Sequence, residues 1–94
     1  MHGFPDDHQI YDRLAPLLAP RRVVTFDWLG YGRSSRREKG SFDRISRRQD
    51  LNAVIDLLAL QNVVLVGHDA SGPVAIGFAL RWPEQVTHLV LLNT

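Results

Sequence analysis

The sequence predicts an α/β protein built on a parallel sheet. Short apolar runs at 23–26, 62–66 and 86–92 alternate with stretches whose apolar residues recur at helical spacing. This alternation is typical of units in which helices cross over between parallel strands. The run at 62–66 is followed by a glycine, an acidic residue and small residues that lead straight into a helical pattern. We therefore expect a sharp strand-to-helix turn at the carboxyl edge of the sheet.

Composition excludes several classes of function. The chain of 94 residues has a formal net charge of +1 and no cysteine. The balanced charge gives no preference for nucleic acid, and the lack of cysteine excludes disulfides, thiol nucleophiles and Cys-based metal sites. No apolar run is long enough to span a membrane, and no basic-then-apolar signal segment opens the chain. We expect a cytoplasmic protein that acts on a small molecule, without nucleic-acid or membrane partners. Its oligomeric state stays open.

The first predicted element is helical. Asp6 and Asp7 suit a helix N-terminus, where carboxylates accept hydrogen bonds from free backbone N–H groups. Apolar residues then follow at helical spacing, and Pro16 predicts a kink or break among them. Beyond Pro20, the β-branched and aromatic residues at 23–26 predict a buried parallel strand.

The segment after this strand reads Asp27-Trp28-Leu29-Gly30-Tyr31-Gly32-Arg33-Ser34. No G-x-G-x-x-G follows and no helix opens on it, so the pair of glycines indicates a tight loop rather than a nucleotide site. Asp27 is expected to cap loop amides, a role that we favour over catalytic acid. The stretch 33–48 holds seven of the eleven basic residues, and we interpret it as a solvated face.

Two helices and a further strand complete the pattern. Apolar residues at i, i+3, i+4 and i+7 from Leu51 predict an amphipathic helix before the strand at 62–66. A helix rich in small residues follows from Val74 to Trp82, and Pro83 is expected to end it. The apolar run at 86–92 predicts the next strand.

The strand-to-helix turn indicates a nucleophile. On such a turn a strained residue projects over the sheet edge, flanked by small residues two positions away on either side. With Asp69 at the centre, Gly67 and Ser71 fill the small positions. Ser71 is the rival nucleophile, but centring the turn there would place Asp69 and Pro73 at the small positions. We therefore predict that Asp69 is the nucleophile.

These motifs resemble the α/β-hydrolase fold family, and in particular its aspartate-nucleophile branch, which includes epoxide hydrolases and haloalkane dehalogenases. The matching segments are His2-Gly3-Phe4-Pro5, the Asp-x-x-Gly-x-Gly-x-Ser segment from Asp27, and the turn around Asp69. The resemblance implies that the backbone N–H groups of Phe4 and Ala70 form an oxyanion hole. It also implies a parallel-sheet fragment of this fold.

The implied mechanism is covalent and needs no cofactor or metal. Asp69 would attack an electrophilic carbon, and water would then cleave the resulting ester at its carbonyl. An epoxide-like or other small electrophilic substrate is expected. Haloalkane dehalogenases usually carry tryptophan where this chain has Ala70, and many carry asparagine where it has Phe4. A haloalkane dehalogenase-like or serine-type esterase parent is the alternative.

Residues 1–94 are expected to form part of a catalytic domain. In the family the triad acid and the general-base histidine follow a lid domain, and further strands precede the His-Gly-x-Pro segment. None of the four histidines of this chain is expected to act as the base. We therefore expect the chain alone to be inactive and unstable, or else to be a non-catalytic fragment.

Overall fold

A computed structural model describes residues 1–36 and 42–94. Its helices are α1 (Arg44–Leu57) and α2 (Gly72–Arg81), and its strands are β1 (Val63–His68) and β2 (Val86–Leu92). The strands pair in parallel, with Leu65 beside Leu89 and Val66 beside Val90. The chain order β1-α2-β2 confirms the predicted α/β class.

Helix α2 lies at the centre of the packing, against both strands and against α1. Helix α1 begins where the Asp43 carboxylate accepts a 2.8 Å hydrogen bond from the Ser46 N–H, a standard N-cap. Leu51 and Ile55 on its apolar stripe are buried, as the periodicity predicts, whereas Leu58 is exposed. The core is formed by Trp28, Leu51, Ile55, Leu65, Val74, Ala75 and Phe78. No helix in the described part of the chain is long and apolar enough to cross a membrane.

The predicted strand at 23–26 is wrong. The structure assigns no strand there, and Val23 is 40% exposed. A strand needs a neighbour for its backbone N–H and C=O groups, and sequence propensity cannot supply one. Phe26 is held by an edge-to-face contact with Trp28 at 4.9 Å between ring centroids. Met1 lies beside β1 and makes the hydrogen bonds of a parallel strand. Its amino group donates to the Val66 carbonyl at 2.7 Å, and its carbonyl accepts from the His68 N–H at 3.1 Å.

The first helical region is broken, as Pro16 predicts. It consists of two short 3-10 helices, His8–Tyr11 and Ala15–Leu18. The Asp7 carboxylate caps the first by accepting a 2.8 Å hydrogen bond from the Gln9 N–H. The residues at 37–41, within the predicted basic face, lie outside the described residues.

Candidate active site

Asp69 lies on the predicted turn between β1 and α2. It follows the last residue of β1 and opens a 3-10 turn, Asp69–Ser71, that runs directly into α2. Its φ of 50° is in the left-handed region, which is rare for residues other than glycine but tolerated by aspartate. A Cβ on Gly67 would lie 3.0 Å from the Ser71 carbonyl oxygen and 3.2 Å from the Ala75 Cβ. The tight turn therefore favours glycine at position 67, because any side chain there would crowd Ser71 and Ala75.

The N–H groups of Phe4 and Ala70 both act on the Asp69 carboxylate. The Phe4 N–H donates to Asp69 Oδ2 at 3.0 Å, across 65 residues of sequence. The Ala70 N–H also helps to lower the pKa of the Asp69 carboxylate. A Cβ on Gly3 would overlap the Asp69 side chain, so the close approach of the two segments requires glycine there. The structure thus brings together the three residues that the sequence places in one site.

The surroundings of Asp69 favour its ionised form. Hydrogen bonds from the N–H groups of Phe4 and then Ala70 lower the pKa of Asp69 below its ordinary value. The partial burial of Asp69 opposes this shift, and the neighbouring His68 reinforces it. The carboxylate is therefore charged at neutral pH, as a nucleophile must be.

Ser71 is buried beneath the turn and occupied by hydrogen bonds. Its hydroxyl donates to the His2 carbonyl oxygen and accepts a 2.9 Å hydrogen bond from Trp28 Nε1. Its relative exposure is 0%, so the hydroxyl has no access to a substrate. This geometry favours Asp69 over Ser71 as the nucleophile.

Trp28 and His2 join the Phe4 segment to the turn. Trp28 Nε1 donates to the Ser71 hydroxyl and also to the His2 carbonyl oxygen, which lies 3.2 Å away. The Trp28 backbone N–H donates to His2 Nε2, also at 3.2 Å. His2 Nδ1 lies 2.9 Å from the Gly3 carbonyl oxygen. Because Nε2 accepts a hydrogen bond and a carbonyl oxygen cannot donate one, Nδ1 carries the proton. His2 therefore braces the loop. Sequence reasoning missed the role of Trp28, because no local pattern connects it to Ser71.

The remaining histidines lie elsewhere. His8 is bound to Asp27, with 2.9 Å between Nδ1 and Oδ1. The buried His68 Nδ1 has no hydrogen-bond partner among the described residues and lies 3.9 Å from an Asp6 carboxylate oxygen. His88 lies on β2 beside Val64, at the end of β1 away from Asp69. No hydrogen bond within the described part of the chain joins a histidine to the Asp69 carboxylate.

Asp27 caps loop amides, as predicted. One oxygen accepts from the His8 N–H at 2.7 Å and the other from the Arg33 N–H at 2.9 Å. Burial opposes ionisation of Asp27, but these hydrogen bonds outweigh it and lower its pKa. Asp7, His8 and Asp27 could in principle bring three ligand atoms to a metal, yet both Asp27 oxygens already serve backbone donors. The absence of a metal cofactor remains a prediction.

A cavity of about 440 Å³ opens beside the turn. Ala70 and Pro73 line it on one side, and the N-terminal part of α1 lines it on the other, with Arg47 among its residues. A second cavity, of about 410 Å³, lies at the opposite end of β1 around Asn62. Only the first adjoins the candidate nucleophile, and it is therefore the candidate substrate site.

The described residues form a parallel β-α-β unit with an acidic residue on a strained strand-to-helix turn. The Phe4 backbone N–H donates to this carboxylate, and the arrangement is typical of a hydrolase-type active-site region. The chain matches the family model of the alpha/beta hydrolase fold over residues 1–94. It belongs to this family.

Named relatives differ in chemistry. The chain is 34% identical over 98 residues to a cis-3-alkyl-4-alkyloxetan-2-one decarboxylase of Shewanella oneidensis, covering all of this chain and 31% of the relative. Among solved structures, an esterase of Exiguobacterium antarcticum gives a TM-score of 0.89 at 30% identity, covering 97% of this chain and 35% of the esterase. A mutant haloalkane dehalogenase of Agrobacterium tumefaciens gives 0.86 at 26% identity, covering 96% of this chain and 31% of the dehalogenase. The chain thus spans about a third of the length of these relatives.

Proposed function

We propose that this chain carries the nucleophile and the oxyanion donors of an α/β-fold hydrolase that works through a covalent aspartyl ester. The observation that carries the proposal is the 3.0 Å hydrogen bond from the Phe4 N–H to the Asp69 carboxylate, whose pKa the Ala70 N–H also lowers. In this mechanism water attacks the carbonyl of the Asp69 ester, so the oxyanion forms on an oxygen of Asp69 itself. Donors that already contact this carboxylate are placed to stabilise that charge.

The proposed substrate is an epoxide-like or other small electrophile. The Asp69 carboxylate would attack a carbon that bears an oxygen or halide, forming a C–O bond to Asp69 as the bond to the leaving atom breaks. The leaving oxygen or halide takes that electron pair. Two similar proteins have names that fit this class, since an oxetan-2-one is a strained cyclic ester and a haloalkane has a carbon–halogen bond.

We further propose that residues 1–94 are part of a longer catalytic domain. Their length is about a third of that of the relatives, and none of the described histidines is hydrogen-bonded to Asp69. Without a base to activate water, an ester formed on Asp69 would persist. The 94-residue chain is therefore expected to be alkylated without turnover.

Mass spectrometry of the chain incubated with styrene oxide or 1-bromobutane tests this proposal. We expect one stable adduct on the peptide that contains Asp69, lost in Asp69→Asn and retained in Ser71→Ala and in the control Asp6→Asn. Adducts spread evenly over carboxylates, or an adduct on Ser71, would contradict the aspartate assignment. Catalytic turnover by the chain itself would contradict the partial-domain proposal.

A further inference from the structure

Arg47 is a half-buried cation beside the candidate substrate cavity. Its guanidinium lies 5.8 Å from the centre of the Trp28 ring and 5.2 Å from that of Tyr31. Nη2 donates a 3.2 Å hydrogen bond to the Tyr31 hydroxyl. The two rings and this hydrogen bond fix the orientation of the guanidinium.

Among the described residues, the Arg47 side chain has a single hydrogen-bond partner, the Tyr31 hydroxyl. A guanidinium has five N–H donors, and buried Nε has no partner among the described residues. Within the described ranges, no carboxylate forms an ion pair with Arg47. A partly buried charge without a counter-charge is costly, and an orphaned buried donor calls for an explanation.

Arg47 lines the cavity together with Ala70, although its Nε is buried out of reach of a ligand there. Exposed Arg44 adds a second positive charge to its wall. Asp43 also lines the cavity and adds one negative charge, and its carboxylate caps α1 by accepting from the Ser46 N–H. The cavity therefore combines a preoriented guanidinium with a wall that adjoins the nucleophile turn.

We propose that Arg47 forms a subsite for a carboxylate group of the substrate. The guanidinium matches the planar, two-oxygen geometry of a carboxylate, which a lysine ammonium does not. This inference rests on the proposed function. The subsite narrows the proposed substrate class to small electrophiles that carry a carboxylate near the reacting carbon. The apolar walls formed by Phe42 and Pro73 suit the hydrocarbon part of such a molecule.

Titration of the dilute ¹⁵N-labelled chain with benzoate, and with neutral benzyl alcohol, tests the subsite. We expect benzoate to bind at least about tenfold more tightly than benzyl alcohol, with shifts at the Ala70 and Val74 amides. In Arg47→Met this preference should disappear, and Arg47→Lys should retain only part of it. Arg81→Met is the matched control, because Arg81 also stacks on a tryptophan, Trp82 at 5.2 Å, but does not line this cavity.

Equal binding of the two probes, or unchanged benzoate affinity in folded Arg47→Met, would overturn the proposal. If Arg47→Met does not fold, the wild-type titration decides, since benzoate that binds no more tightly than benzyl alcohol refutes the subsite. Asp69→Asn separates this inference from the proposed function. It should keep the benzoate preference even though it removes alkylation.

Discussion

Single residues hold the candidate site together over long sequence separations. The indole N–H of Trp28 reaches both Ser71, on the turn, and the His2 carbonyl, on the segment that carries Phe4. Packing alone could be supplied by any aromatic ring of similar size, but the two hydrogen bonds need this N–H. We infer that Trp28 is a positioning residue for the Phe4 donor.

Trp28→Phe should therefore change the pKa of Asp69 indirectly, through the Phe4 segment. A looser Phe4 segment weakens the N–H hydrogen bond to the carboxylate, so the pKa of Asp69 should rise towards the ordinary value of about 3.9. NMR titration of the Asp69 carboxyl measures this, with Trp82→Phe as the control. An unchanged Asp69 pKa in a folded Trp28→Phe chain would show that Trp28 only fills space.

Asp27 is expected to stabilise the fold in a pH-dependent way. Its side chain is only 4% exposed, and its folded-state pKa lies below the ordinary value. The stabilisation from its charge is thus fully present above the unfolded pKa of about 3.9 and is lost as pH falls through the lower folded value. Asp27→Asn should lower the free energy of unfolding by about 1–3 kcal/mol at pH 7.

Urea unfolding of both chains at pH 7 and at pH values below 4 measures this difference. It should shrink as the pH falls, because the wild-type carboxylate becomes protonated. Asp6→Asn, on a more exposed carboxylate, serves as the control. A difference that is independent of pH would mean that the charge of Asp27 contributes nothing.

At the scale of elements, the nucleophile turn combines a strained residue with a close strand–helix contact. Asp69 has a φ of 50°, and the Thr94 hydroxyl just beyond β2 donates to its carbonyl oxygen at 2.7 Å. Left-handed backbone costs a non-glycine residue about 1–2 kcal/mol. The Thr94 hydrogen bond thus ties the strained residue to the end of β2.

The pair Asp69→Gly and Asp69→Ala should reveal this strain. Both variants lose the carboxylate, but only glycine adopts the positive φ freely. We expect Asp69→Gly to be about 1 kcal/mol more stable than Asp69→Ala, after the greater flexibility of glycine in the unfolded chain is deducted. Denaturant midpoints of the two variants give the comparison. If alanine were the more stable, the positive φ would not be a source of strain.

The sequence predicts an element well where the signal is local. Apolar spacing predicts strands at 62–66 and 86–92 with a helix between them, and the structure has strands at 63–68 and 86–92 and that helix. Pro16 predicts a break, and the structure has one just before it, between the two 3-10 helices. The segment at 23–26 was mispredicted because its strand would depend on a neighbour rather than on its own residues. Likewise Arg47, which we assigned to a solvated face, packs on two rings that lie 16 and 19 residues earlier in the chain.

At the scale of the whole molecule, the two-stranded sheet leaves apolar surface uncovered. Leu89, Val90, Leu91 and Leu92 on β2 are each 36–40% exposed. An exposed apolar strand is a template for pairing with other chains, and a two-stranded sheet is weak by itself. The relatives, which are about three times longer, have further chain that could cover such a surface.

We therefore expect the 94-residue chain to have a low free energy of unfolding and to associate increasingly as its concentration rises. Sedimentation velocity at several concentrations, with thermal unfolding followed by circular dichroism, measures both properties. Leu91→Lys should reduce the association, because a charge on an edge strand opposes pairing. A sharp cooperative melt of a strictly monomeric chain would contradict this expectation.

The distance along the sequence between Phe4 and Asp69 also bears on the order of folding. Closing a loop of 65 residues costs about 4 kcal/mol of chain entropy before any contact is made, whereas β1, α2 and β2 are close neighbours in sequence. The β-α-β unit, with the Ala70 donor, can therefore form before the Phe4 donor arrives. Local opening of residues 1–4 would then dismantle the oxyanion hole while this unit stays folded, so the Phe4 amide should exchange its hydrogen with solvent faster than the amide of Leu65.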